Sequence, residues 1–315
     1  MMNNSKIEQQ IIIITGASGL IGKRLVKKLI KNGHYKVRIL TRDRSKLHEC
    51  VDPQCEIFEW DAAKNFIEDG ALQSADIVIN LAGENIAEKR WSANQKQKIS
   101  DSRIVGTQFL IREIEKLKFP PKKLISASAI GIYGNKGEET VDTTSSLGNS
   151  FLAQVCRKWE NSAMNNKIEK MNSIIIRIGI VLGNDGGAFA QMIRPFSLGL
   201  GGQLGNGKQY MSWIHIDDLV GQIMFLITND KASGIYNGVS PRPVTNFIFS
   251  KILGRELNRP TLFKIPKFAL KMVLGEFAEV LLESQKIIPT RFIEQGYDYK
   301  FRSIKSAFRD LIKRN

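Results

Sequence analysis

Ile11-Ile12-Ile13-Ile14-Thr15-Gly16-Ala17-Ser18-Gly19-Leu20-Ile21-Gly22 is the stretch on which the fold of this chain turns. Four isoleucines in a row make a short apolar run that reads as a parallel strand buried on both faces. The glycines behind it let the backbone turn tightly and come close to a pyrophosphate. From Leu20 onward, Leu20, Ile21, Leu25, Val26, Leu29 and Ile30 recur at helical spacing as far as Asn32. The segment therefore predicts strand, turn and helix in that order, with a diphosphate over the N–H groups of the helix N-terminus. The spacing is Gly-x-x-Gly-x-x-Gly, not the commoner Gly-x-Gly-x-x-Gly, and three glycines alone are a weak signal. Between a strand and a helix they point to a dinucleotide held by Gly16, Ser18, Gly19, Leu20, Ile21 and Gly22.

The next strand, over residues 37–41, runs into Thr41-Arg42-Asp43-Arg44-Ser45-Lys46. An acidic residue at the end of this strand usually holds the ribose hydroxyls of NAD. Here Thr41 and Arg42 occupy the strand end, with Arg44, Ser45 and Lys46 close behind, a set that suits a 2′-phosphate and so NADP(H). A third strand over 56–60 brings Trp60 and Asp61 to the expected adenine end. A fourth over 77–81 delivers Leu81-Ala82-Gly83-Glu84, small residues past which a ribose or nicotinamide can run. Glu84 and Arg90, in the loop that follows, are expected on the nicotinamide half.

Helices over 94–116 and 151–165 alternate with strands over 124–128 and 173–177. That alternation predicts an α/β fold, a Rossmann-type doubly wound parallel sheet with right-handed crossovers. Past residue 185 it loosens into a loop, Trp213-Ile214-His215-Ile216-Asp217-Asp218, and helices over 218–228, 245–257 and 303–312. The reading is an NADP(H)-binding Rossmann domain over 1–185 and a smaller substrate-side lobe over 186–315 that shares elements with it.

With 315 residues, 43% hydrophobic and 24% charged, the composition is that of an ordinary globular protein. No apolar run is long enough to span a membrane, and the polar first ten residues lack a signal-peptide core, so a cytoplasmic location is expected. Cys50, Cys55 and Cys156 have no Cys-x-x-Cys spacing, and with only His34, His48 and His215 besides, no metal site is expected. The net charge of +15 is spread along the chain with no basic tail, arginine-rich arm or interleaved aromatics. It predicts a solvated basic surface favouring an anionic cofactor or substrate, without specific nucleic-acid binding. A small-molecule substrate and a monomer or homodimer are expected.

A wider set of motifs resembles the extended short-chain dehydrogenase/reductase superfamily, the fold of nucleotide-sugar epimerases, and within it the subgroup labelled epimerase family, of the SDR39U type. It comprises the glycine turn, residues 80–84, Lys89-Arg90-Trp91, Asp101-Ser102-Arg103, Ser126-Ala127-Ser128 with Gly131-Ile132-Tyr133-Gly134, and Arg177-Ile178-Gly179. It continues with Gly186-Gly187-Ala188, residues 198–202 and 212–218, Pro243-Val244-Thr245-Asn246, and Ile288-Pro289-Thr290-Arg291. The resemblance covers nearly the whole chain. It implies NADP(H) binding and epimerase-like or oxidoreductase-like chemistry on an unassigned small polar or nucleotide-linked substrate.

One departure bears on chemistry. Active short-chain dehydrogenases carry Tyr-x-x-x-Lys on one helix, residues four apart sharing a face, so that the lysine lowers the pKa of the tyrosine that moves the proton. Here the helix reads Phe151-Leu152-Ala153-Gln154-Val155-Cys156-Arg157-Lys158-Trp159-Glu160 and holds no tyrosine. With Glu160 at the family's glutamate, Leu152 falls at the tyrosine and Cys156 at the lysine. Ser128 and Tyr133 are then the catalytic candidates, and Arg177 and His215 the substrate candidates. The alternative reading is a catalytically silent NADP(H)-binding redox sensor that signals to a protein partner.

Overall fold

Ile12 and Ile14 point to one side of a sheet and Ile13 to the other, all three fully buried, which is why the isoleucine run is uninterrupted. They form the middle of β1 (Gln10–Thr15). The computed structural model describes residues 9–45, 47 and 52–313, so Lys46, His48 and Cys50 of the sequence reading lie outside the described residues.

From β1 the chain passes through α1 (Leu20–Asn32) to β2 (Tyr35–Thr41) and β3 (Glu56–Asp61), which turns back as the two-residue β4 (Phe66–Ile67). It then crosses to β5 (Ile77–Asn80), α2 (Ala93–Glu115) and β6 (Lys123–Ala129). After a one-turn helix over Ile130–Tyr133 come β7 (Thr140–Val141), α3 (Phe151–Met164), β8 (Asn172–Ile178) and β9 (Ile180–Leu182). The later part comprises α4 (Gly187–Ser197), β10 (Gly202–Leu204), β11 (Tyr210–Met211), β12 (Trp213–His215), α5 (Ile216–Thr228) and β13 (Gly234–Gly238). It ends with β14 (Val244–Thr245), α6 (Asn246–Glu256), β15 (Phe263–Ile265), α7 (Lys267–Leu274), α8 (Phe277–Leu282), β16 (Lys286–Ile287), α9 (Thr290–Glu294) and α10 (Ile304–Lys313).

The main sheet has the order β13-β8-β6-β5-β1-β2-β3-β4, parallel throughout except that β4 runs against β3. The chain moves outward from β1 to β3 and then returns to the other side of β1. The order therefore reverses between β1 and β5, the crevice where ligands bind in open α/β sheets. Leu25, Val26 and Leu29 of α1 and Leu219, Val220, Ile223 and Leu226 of α5 cover one face; Phe109, Leu110 and Ile114 of α2 and Ala163 of α3 cover the other.

Residues 186–315 thus contribute α5 and the edge strand β13 to this sandwich. Buried Lys123 ties α5 to the sheet, its Nζ donating to the carbonyl oxygens of Leu226, Ile227 and Asn229 at the helix C-terminus, at 2.9, 2.8 and 3.1 Å. Asp218 ties in the C-terminal segment by accepting the N–H groups of Lys300 and Phe301. The rest of this stretch packs a separate aromatic cluster around Phe189, Phe196, Trp213, Phe249 and Phe308, joining α4, α6 and α10. Among the described residues no helix is long and apolar enough to cross a membrane.

Candidate dinucleotide-binding site

A groove of about 760 Å³ opens at the carboxyl ends of β1, β2, β3 and β5. Its floor is the glycine turn. Gly16 has φ +73°, and a Cβ there would stand 2.8 Å from the Leu81 carbonyl carbon, so β1 and β5 close on one another only with glycine at this position. A Cβ on Gly22 would lie 2.3 Å from the Gly16 oxygen and 2.6 Å from the Ala17 Cα. The turn closes with the Gly19 N–H donating to the Gly16 oxygen at 3.1 Å. Gly19 caps α1 with no side-chain hydrogen bond, leaving the first N–H groups of the helix to an anion in the groove.

A buried relay holds the strand ends in register. Thr15 Oγ1 donates to Asn80 Oδ1 at 2.8 Å and accepts the N–H groups of Leu81 and Ala82 at 3.1 Å each. Asn80 Nδ2 donates onward to Thr107 Oγ1 and Ser126 Oγ, and Trp159 Nε1 also donates to Thr107 Oγ1.

At one end of the groove stand Thr41, Arg42, Trp60 and Asp61. Arg44 is paired with Glu68. Arg42 is exposed on the groove wall and has no hydrogen-bond or ion-pair partner among the described residues, which singles it out for an incoming anion. Trp60 is packed against Phe109 at 6.2 Å, and Asp61 accepts the Ala63 N–H.

At the other end lie Leu81, Ala82, Gly83 and Glu84. The Glu84 N–H donates to Ser102 Oγ at 3.0 Å, and Gln95 Nε2 donates to Glu84 Oε1 at 3.4 Å. Three other expected residues are placed elsewhere. Leu20 and Ile21 pack into the core beside α5, Leu20 against Gly183 and Gly187, and only their backbone belongs to the turn. Arg90 is exposed and reaches the Met272 carbonyl on α7 at 3.4 Å.

The catalytic and substrate candidates form a buried network of their own. Glu160 on α3 accepts from Ser128 Oγ at 2.6 Å and from Arg177 Nε and Nη2 at 2.8 Å each. Tyr133 Oη accepts from Arg177 Nη1 at 2.9 Å and donates to Asn237 Oδ1 at 2.7 Å. Ser128, Tyr133 and Arg177 are at most 3% exposed, and none lines the groove. Burial pushes the Tyr133 hydroxyl up, against the pull of the Arg177 charge. For Arg177 burial works against the charge, but the hydrogen bonds and charge of Glu160 outweigh it and the guanidinium is held firmly protonated. Cys156, also buried, is pushed up to about 11 by burial and stays a thiol.

His215 is fully buried and caps α5, Nδ1 accepting the Asp217 N–H at 3.1 Å while Nε2 faces Asp310 Oδ2 at 3.3 Å. Its ring lies 3.8 Å from that of Phe301. Ligand atoms of His215, Asp217 and Asp310 come within 4.8 Å of one another, but Asp217 is engaged by Arg24, and the helix cap and these ion pairs account for the cluster.

The sequence signature of the NAD dependent epimerase/dehydratase family matches residues 12–237, nearly the whole of the sandwich just described. The chain belongs to that family. A domain of unknown function matches residues 265–311. The chain is 40% identical to the chloroplastic SDR39U1 homolog, an epimerase family protein of Arabidopsis thaliana, across 99% of this chain and 90% of that protein. It is 36% identical to the epimerase family protein ML0860 of Mycobacterium leprae, across 94% of each. Among solved structures, human SDR39U1 (isoform 2), crystallised with NADPH, superposes with a TM-score of 0.87 at 30% identity, covering 97% of this chain and 100% of that one. UDP-glucuronic acid 4-epimerase of Bacillus cereus shares the fold at a TM-score of 0.77 and 18% identity, over 97% of this chain and 99% of that one.

In this epimerase/dehydratase-family chain the groove lies over the glycine turn. Sequence reading missed the wall that α2 contributes: Lys98, Asp101, Ser102, Val105 and Gly106 all face the groove. The signal available was Asp101-Ser102 within the motif set, with nothing to say which way that side of a long helix turns.

Proposed function

We propose that this protein binds NADP(H) and acts as an epimerase-like or oxidoreductase-like enzyme on a small polar or nucleotide-linked substrate. The observation that carries the cofactor choice is Arg42, a charged side chain just past β2 with no partner among the described residues, where an NAD site would place a carboxylate. The NADPH held by human SDR39U1 supports it. Backbone N–H groups of residues 16–19 would hold the diphosphate, Thr41 and Arg42 the 2′-phosphate, Trp60 and Asp61 the adenine end, and residues 81–84 the nicotinamide half. Bound there, the nicotinamide supplies hydride exchange with a substrate carbon.

The test is a titration of the cofactor-stripped protein with NADPH and with NADH, followed by nicotinamide fluorescence. NADPH should bind the more tightly, and Arg42→Ala should weaken NADPH about tenfold while leaving NADH unchanged, the loss of one charge-assisted hydrogen bond. Equal affinity for the two cofactors in the wild type would overturn the 2′-phosphate assignment.

In this reading proton transfer falls to Ser128 or Tyr133, both of which carry hydrogen bonds in the Glu160–Arg177 network. Ser128→Ala or Tyr133→Phe should then lower turnover about 100-fold with NADPH affinity retained. The burial of both hydroxyls favours a second reading, a silent NADP(H)-binding sensor. Under it neither substitution changes a rate, and a protein partner's affinity differs between the NADPH-bound and NADP⁺-bound forms.

A further inference from the structure

Arg103, on α2, is held in a setting that its present contacts do not explain. Its Nη1 donates to the Ile99 carbonyl at 3.1 Å, the single hydrogen bond of this partly buried guanidinium among the described residues. The more deeply buried Arg177, on β8, makes three. The Arg103 head packs against other groups: its Cζ is 5.3 Å from the centre of the Trp159 ring on α3. On another side it rests on Gly83, where a Cβ would come within 3.0 Å of Cζ and 3.2 Å of Nη2. Burial draws its pKa down, while Cys156 and Glu84 are close enough to oppose that. Its Nε and Nη2 meet no hydrogen-bond acceptor among the described residues and are not sealed from solvent, which leaves them available to an incoming acceptor.

The acceptors belong to the groove. Gly83 and Glu84 form its wall, and Ser102, the residue next to Arg103, lines it. The sheet order says which half of a dinucleotide lies there. Thr41, Arg42, Trp60 and Asp61 stand at the ends of β2 and β3, to one side of β1; Gly83 follows β5, and α3, against which Arg103 packs, crosses β6 on the other side. A dinucleotide crossing between β1 and β5 has its adenosine toward β3 and its second ribose toward β6.

We infer that Arg103 is a cofactor-binding residue of the nicotinamide half, its guanidinium reaching past the bare Gly83 to donate to the oxygens of the second ribose and its phosphate. The inference rests on the proposal that the groove binds NADP(H). It gives the absence of a side chain at Gly83 a purpose: the glycine is the seat of the guanidinium.

The test uses the full chain and two probes, NADPH and 2′,5′-ADP, which carries the adenosine half alone. Arg103→Met should raise the Kd for NADPH about tenfold or more and leave that for 2′,5′-ADP unchanged; Arg103→Lys should fall between. Gly83→Ala, which displaces the guanidinium without removing it, should weaken NADPH in the same selective way and keep the inference testable should Arg103→Met fail to fold. NADPH affinity equal to wild type in folded Arg103→Met, or equal weakening of both probes, would overturn the inference alone. A wild-type protein that binds neither probe would remove the proposed function along with it.

Discussion

Glu160→Ala should cost about 3–5 kcal/mol of stability, the range found when one partner of a buried ion pair is removed. The Glu160 carboxylate receives three hydrogen bonds, one from Ser128 and two from Arg177, in surroundings where all three side chains are buried. Alanine would leave the guanidinium charged, dry and held, among the described residues, only by the Tyr133 hydroxyl. Against a total of about 5–15 kcal/mol for a typical domain, such a loss is large. In thermal unfolding it should appear as a fall in Tm on the order of 10 °C. The paired replacement Glu160→Met with Arg177→Met should recover most of the deficit, because two apolar chains of similar length leave no charge to desolvate. A single variant within about 1 kcal/mol of wild type would show that water reaches the pair, and the network would then lose its standing as the anchor of β6, β8 and α3.

Gly22→Ala is expected to abolish cofactor binding, with NADPH affinity reduced at least about 100-fold. The added Cβ meets the Gly16 oxygen at 2.3 Å and the Ala17 Cα at 2.6 Å, both backbone atoms that no rotamer can move aside. Relief requires opening the turn, and the turn is what brings Gly16 against Leu81 and aims the α1 N–H groups into the groove. Gly33→Ala is the matched control. Gly33 has φ +77° at the C-terminus of the same helix and nothing within 4 Å of its missing Cβ. It should cost about 1–2 kcal/mol of stability and leave NADPH affinity alone. Fluorescence titration of both variants checks the pair, and an alanine variant at Gly22 that binds NADPH within about threefold of wild type would refute the steric argument.

How much of this was legible beforehand depended on whether local chemistry and tertiary environment agreed. The strands of the sheet interior could be read because a strand covered on both faces needs unbroken apolar residues, and 11–14, 77–79 and 174–176 supply them. Helices α1, α2, α3, α5, α6 and α10 announced themselves by apolar spacing. Helix α4 did not: it opens on Gly186-Gly187 and carries Pro195 inside, and it forms because Phe189 and Phe196 are drawn into the aromatic cluster with Trp213 and Phe308. Strand β13, Gly-Ile-Tyr-Asn-Gly, is a glycine-bounded edge whose pairing with β8 no local pattern declares. The two-residue β4 is a hairpin return too short to carry any period.

The site divided in the same way. Gly16, Gly19, Thr41 and Arg42 could be brought to one groove beforehand because the strand-turn-helix geometry acts at fixed distances along the chain. The groove wall on α2 was hidden, since the rotation of that helix is set by packing against α3 and the sheet. So was the partner of Arg177, which lies 17 residues upstream on another element.

The place of α5 and β13 in the sheet sandwich bears on how the molecule is made. A ribosome has released the glycine turn and every strand of the groove well before it reaches Ile216, yet Ile12, Ile14, Ile125 and Ile174 share their buried face with Leu219, Ile223 and Leu226. Through that interval a stripe of isoleucine lies partly wet, and Lys123 awaits the helix end that will take its charge. The strand before the glycine turn, made well ahead of α5, is therefore among the last to become dry, and the nascent chain holds an apolar sheet face open to chaperones until α5 has emerged.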